Sequence, residues 1–279
     1  MPAALPQVFF LPVGDGQRLC IFHPAQGSAP RGCVLYLHPF AEEMNASRPM
    51  ARAVAAAMAR AVAAAMAADG WAVLQMDLLG CGDSSGTLED ASWKAWVQDG
   101  VAAAQWLGQQ ATGPLWLWGL RTGALLAAHV AEQLPETPNL LLWQGAANGQ
   151  TLLQPWLRLA TVAQMMGQAT GQRSAAQRLA EGETVHLGGY PVTPALAEGL
   201  GRAHLHPPSH GKTGQLVWLE VGDSPSPAAT RAVQPFEAAG WRVHTQAVPG
   251  TQFWQVVTGE TAPALIEASV QALREAPPC

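Results

Sequence analysis

The sequence predicts an α/β domain with a mainly parallel sheet and helices on both faces. Two observations carry that expectation. Continuous apolar runs recur along the chain: Gly32–His38 (GCVLYLH), Gly70–Asp77 (GWAVLQMD), Asn139–Gln144 (NLLLWQ) and Gln215–Gly222 (QLVWLEVG). Strands covered on both faces read this way, without polar alternation, and helical stretches between them call for a right-handed parallel arrangement. The second observation is Leu115–Gly123 (LWLWGLRTG), which reads as a buried strand turning sharply into a helix over Thr122–Gln133. With 279 residues, 49% of them hydrophobic, the chain can fill one large core.

The remaining elements follow in order. Val8–Pro12 and Arg18–His23 flank Gly14-Asp15-Gly16, a hairpin signal. After the Gly32–His38 strand, Ala51–Met58 (ARAVAAAM) is repeated letter for letter over Ala59–Met66. An insertion of that length rotates the downstream face of a helix by roughly 80°, which an alanine-rich face tolerates. Leu88–Gln110 is predicted as an amphipathic helix with Trp93, Trp96, Val97, Val101 and Trp106 at helical spacing, core positions by pattern. Residues 149–211 break the rhythm, are helical in places and show no clear strand. They read as a helical cap over a core formed by 1–148 and 212–279. Trp241–Val248 is the last strand, and helices are expected near Ala228–Ala239 and Thr261–Glu275. In such sheets ligands sit beyond the carboxyl ends of the strands. The turns after His38, Asp77, Gly119, Gly222 and Val248 share that edge.

Composition excludes several classes. A formal charge of −5 argues against a nucleic-acid partner. The four cysteines, Cys20, Cys33, Cys81 and Cys279, are scattered without metal-knuckle spacing, which fits reduced thiols and a cytoplasmic setting. No basic flank leads into an apolar segment at the N-terminus. The alanine-rich stretch 51–68 carries Arg52 and Arg60, so no membrane span is expected. No cofactor is called for.

Gly119-x-Arg121-x-Gly123 has the spacing of a nucleophile elbow, Gly-x-Ser-x-Gly, with arginine where the serine would stand. Three stretches together, HPFAEEMN at His38–Asn45, DLLGCGDSSG at Asp77–Gly86 and LWLWGLRTG at Leu115–Gly123, resemble the bacterial family called exosortase A system-associated hydrolases, type 2. The resemblance implies an α/β-hydrolase fold with a helical cap and an association with exopolysaccharide and protein-sorting loci. It also implies roles for particular positions. The backbone N–H groups of Phe40 and Thr122 would be the oxyanion donors. Asp77 and Gly80–Ser84 would form the supporting loop. The triad positions fall on Arg121, Asp223 and Gln252, with Asp223 slightly early for the acid. Arginine stays protonated and cannot attack a carbonyl. Glutamine cannot carry a proton near neutral pH, and losing a triad serine or histidine removes on the order of 10⁶ in kcat.

Two functional readings follow. In one, the protein is a non-catalytic or regulatory binder of a small molecule, anionic or saccharide, held by Arg121 at a helix N-terminus. His38, Glu42, Glu43 and Trp254 are further ligand-contact candidates, and Arg121 could instead pair with Glu42, Glu43 or Asp223. In the other, the protein is an esterase or acyl-transfer enzyme with relocated residues. Cys81 is then the best replacement nucleophile if Arg121 lowers its pKa, Ser84 the next, and Glu42 or Glu43 a general base. His204, His206 and His210 form a cluster better read as a polar loop than as a zinc site, so no metal is expected. Oligomeric state is not legible.

Overall fold

The computed structural model describes residues 5–27, 30–40, 61–167, 173–254 and 262–275. Ten strands are named among them: β1 (Gln7–Val13), β2 (Gly16–His23), β3 (Gly32–Leu37), β4 (Trp71–Met76), β5 (Leu115–Leu120), β6 (Asn139–Trp143), β7 (Val185–Leu187), β8 (Tyr190–Val192), β9 (Gln215–Val221) and β10 (Arg242–Val248). The helices are α1 (residues 61–68), α2 (Trp93–Gln110), α3 (Thr122–Gln133), α4 (Gly149–Gly167), α5 (Ala175–Ala180), α6 (Pro194–Arg202), α7 (Pro227–Ala238) and α8 (Pro263–Glu275).

The main sheet has eight strands in the order β1-β2-β4-β3-β5-β6-β9-β10. The β1–β2 hairpin and the β2–β4 pairing are antiparallel, and the rest of the sheet is parallel. Every residue of β3, β4 and β6 is buried, as continuous apolar runs require. Two apolar cores result, one on each face. One packs α2, α3 and α7 against Leu35, Leu37, Leu117 and Leu142. The other packs α1 and α8 against Val34, Trp116, Trp118 and Trp143. These cores and this strand order are an α/β-hydrolase fold.

Two expectations need correcting. The helix predicted from Leu88 starts at Trp93, because Ser92 caps it, its Oγ accepting the Ala95 N–H at 3.2 Å. The stretch 149–211 is not free of strands: β7 and β8 pair antiparallel, Val185 opposite Val192. Strands of three residues give too little alternation to register as a pattern. Glu42, Glu43 and the first copy of the ARAVAAAM repeat lie outside the described residues. In the second copy, Val62, Ala63 and Met66 are fully buried beneath the sheet.

Candidate functional site

The site begins with the turn from β5 into α3. Arg121 has φ 55° and ψ −111°, a region that favours glycine. The flanking glycines explain how that turn is built. A Cβ on Gly119 would collide with the Gly123 carbonyl oxygen, and a Cβ on Gly123 would collide with that of Leu37. Strand and helix therefore come closer than side chains allow. Arg121 N–H donates to Trp143 O at 3.0 Å, and Arg121 O accepts from Ala124 N–H at 3.0 Å. The elbow keeps its backbone without its serine, and Arg121 bears about 1–3 kcal/mol of conformational cost. Arg121→Gly should consequently be more stable than Arg121→Ala by about 1 kcal/mol, since only glycine relieves the strain and part of that gain is lost to chain entropy. Chemical denaturation of the two variants measures the difference.

The residues named as oxyanion donors do come together. Phe40 and Thr122 line one narrow apolar slot with His38, Pro39, Leu78, Trp96 and Leu126, too tight to admit a water-sized sphere. Thr122 opens α3, whose first N–H groups have no acceptor within the helix. Phe40 is held by its ring against Trp96, centroids 5.3 Å apart.

His38 is buried and fully employed. Its Nδ1–H donates to Pro39 O at 2.8 Å, so its Nε2 is the acceptor of the Leu78 N–H at 3.2 Å. Nδ1 closes on its own loop and Nε2 ties that loop to the one after β4, so both ring nitrogens are engaged. The β4 loop is fixed in turn by a buried ion pair that the sequence reading missed. Arg18 Nε and Asp99 Oδ1 are 2.8 Å apart, with side chains 5% and 1% exposed, and Asp99 Oδ2 accepts the Leu79 N–H at 2.8 Å. Burial pushes the Asp99 carboxyl up, and the Leu79 N–H and Arg18 oppose it. Asp99 follows Trp96 on the apolar stripe of α2. An acid at that spacing was the available signal.

The replacement nucleophiles fare badly. Cys81 is 2% exposed, and burial, helped by Asp77 and Asp99, pushes its thiol well above the ordinary range. That is opposite to the activation a nucleophile needs. Ser84 Oγ donates to Asp77 O at 2.6 Å and accepts the Leu19 N–H at 2.9 Å, so it pins the turn to β2. Trp254 is 1% exposed and meets Phe253 edge-on in the second core. Cys20 and Cys33 are also buried and free.

Asp223 and Gln252 are exposed, after β9 and β10 respectively. The nearby acid that is anchored is Glu220, whose carboxylate accepts Ser226 N–H at 2.7 Å and Ser226 Oγ–H at 3.1 Å. A second unforeseen residue is Gln144, directly after β6. It has φ 44°, and its Oε1 accepts the Val221 N–H at 3.1 Å, linking the β6 turn beside Arg121 to the end of β9. Its only sequence signal was a polar residue closing an apolar strand before Gly145. Among the described residues no group of metal-ligating side chains is suited to an ion, and no helix is long and apolar enough to cross a membrane.

Comparison with known proteins agrees with this architecture. A putative hydrolase from Agrobacterium vitis S4 is similar with a TM-score of 0.62 and 17% identity, covering 97% of this chain and 98% of that one. Est1E from Butyrivibrio proteoclasticus, solved with ferulic acid bound, gives 0.63 and 13%, covering 96% of both chains. A proline iminopeptidase-related protein from Thermus thermophilus gives 0.58 and 19%, over 97% and 98%. At these identities the likeness speaks for the fold alone. No curated protein matches the sequence. The profile of the family described as serine aminopeptidase, S33, matches residues 28–184, more than half of the chain. With the elbow turn, the strand order and that match together, the chain belongs to the serine aminopeptidase S33 family of α/β-hydrolase-fold proteins.

Proposed function

We propose that this protein is a non-catalytic or regulatory binder of a small anionic ligand, a carboxylate, phosphate or acidic sugar, and that it serves the exopolysaccharide-associated setting its motifs resemble. The observation that carries the reading is Arg121 at the tip of an elbow whose backbone is kept. Arg121 is partly buried, and a guanidinium is always charged with five N–H donors in a planar fork. It adds a permanent charge to the N-terminus of α3, where the helix dipole and free N–H groups already favour an anion. In this reading the backbone N–H groups of Thr122 and Phe40, which both line the slot, are further donors. Hydrolysis with relocated residues has less support, because Cys81 and Ser84 are committed to the interior. The segment 149–211 acts in this reading as the cap above the ligand.

Thermal denaturation in the presence of acetate, phosphate and glucuronate tests the proposal. A ligand at a hundred times its Kd adds about 2.7 kcal/mol, a rise of several degrees in Tm. That gain should vanish in Arg121→Ala. No rise with any anion, or an equal rise in the variant, counts against the binder.

A further inference from the structure

The histidine cluster around residues 204–210 is tied to the slot. Thr122, Leu126 and His129 follow one another along one stripe of α3; the first two line the slot, and the third continues the stripe away from it. The Trp93 indole Nε1–H donates to His129 Nδ1 at 3.3 Å. An indole nitrogen can only donate, so Nδ1 carries no proton. His129 Nε2–H donates to His204 O at 3.2 Å. The ring is thereby fixed as one neutral tautomer between α2 and the strap 203–211. It lies edge-on to Trp93, with centroids 5.5 Å apart, and 5.5 Å from the ring of His206. The strap is further held to α3 by Glu132, which accepts from Ser209 N–H at 2.8 Å and from Ser209 Oγ–H. The Glu132 carbonyl accepts His210 Nε2–H at 2.6 Å. Leu205 N–H donates to Ala147 O at 2.9 Å.

The path from this contact to the slot is short. Trp93 lies 6.5 Å from Trp96, and Trp96 lies 5.3 Å from Phe40, both slot residues. On the other side, Trp93 meets Gly199 of α6, where a Cβ would crowd the indole stem. Trp93 thus joins α2, α3, α6 and the edge of the slot.

We propose that His129 is the pin of an acid-released latch: a proton on Nδ1 breaks the Trp93 hydrogen bond, sets a cation beside His206, and loosens the strap 203–211 with α6. The charged neighbours acting on His129 are His206 and His204 from the strap and Glu132 on its own helix. From α2 it meets the neutral Trp93, Lys94 being exposed. Glu198 and Arg202 of α6 pair with each other at 2.7 Å. Burial and then His206 hold the His129 pKa below its ordinary value, against the opposing His204 carbonyl and Glu132. The unfolded state therefore takes the proton first as pH falls. The latch is at full strength above about pH 6.5 and weakens as pH drops through the depressed folded value. This inference concerns the ligand-free protein and does not depend on the anion reading.

Hydrogen exchange of the full chain, read on peptides covering 194–211, tests it. Between about pH 7.5 and about pH 5, protection corrected for intrinsic exchange should fall about five- to tenfold in the wild type. His129→Gln can keep both hydrogen bonds without ionising, and its protection should stay constant. Equal protection of the wild type at both pH values, or the same fall in the glutamine variant, overturns the latch. Should that variant not fold, the wild type still decides. The Trp93 indole N–H resonance should shift in step with the exchange, and an indole signal that does not move over this range overturns the proposal.

Discussion

Asp99→Ala should destabilise the protein by about 3–5 kcal/mol, the range found when one partner of a buried ion pair is removed. The reason is what remains. Arg18 is 4% exposed and would keep its charge in a site with no counter-ion, while the Leu79 N–H would lose its acceptor. For a domain of this size the loss corresponds to a Tm drop of roughly 6–15 °C. The double variant Arg18→Met/Asp99→Leu separates the two contributions. If the orphaned charge dominates, the double variant recovers most of the loss, because apolar groups of similar size replace a buried pair at little cost. A single-variant loss below about 1 kcal/mol would mean that water reaches the pair and screens it. The damage should also spread. Leu79 neighbours Leu78, Leu78 N–H is held by His38, and His38 holds Pro39 and the Phe40 edge of the slot.

The centre of the sheet was legible because β3, β4, β5, β6 and β9 are buried on both faces. A run such as Leu140-Leu141-Leu142 permits few alternatives, and each strand assigned from an apolar run sits within a residue or so of its predicted bounds. The elbow was legible because close approach of strand and helix demands glycine at Gly119 and Gly123. What stayed hidden shares one property: it depends on partners distant in sequence. Arg18 and Asp99 are 81 positions apart, and Gln144 and Val221 are 77 apart. Neither partner announces the other. Cys81 and Ser84 lie in a glycine-rich turn that folds inward against β2, where Leu19 N–H meets Ser84 Oγ. Trp254 follows Phe253 near an exposed Gln252, and only the second core explains why the rings turn inward.

Arg121→Ser should not convert the protein into an esterase. The substitution restores the letters of the nucleophile elbow, on a backbone that already has the strained turn. Phe40 and Thr122, the expected donor positions, line one slot together. What the described residues do not provide is a histidine base beside the elbow. Gln252, in the loop after β10, has an amide that does not titrate. The described histidines near the sheet edge are occupied elsewhere. His38 has both nitrogens in hydrogen bonds, His129 is held by Trp93 and the strap, and His244 within β10 faces Gln246. A serine without a base gains little, since triad members act as a unit worth on the order of 10⁶ in kcat. Hydrolysis of p-nitrophenyl acetate by Arg121→Ser should therefore stay within about tenfold of the wild-type background. Fluorophosphonate should leave position 121 unlabelled above a denatured control. Stoichiometric labelling there would show that a working base faces the elbow. Arginine would then be the sole block to catalysis, and the protein would be a hydrolase one substitution from activity, not a binder built on a discarded triad.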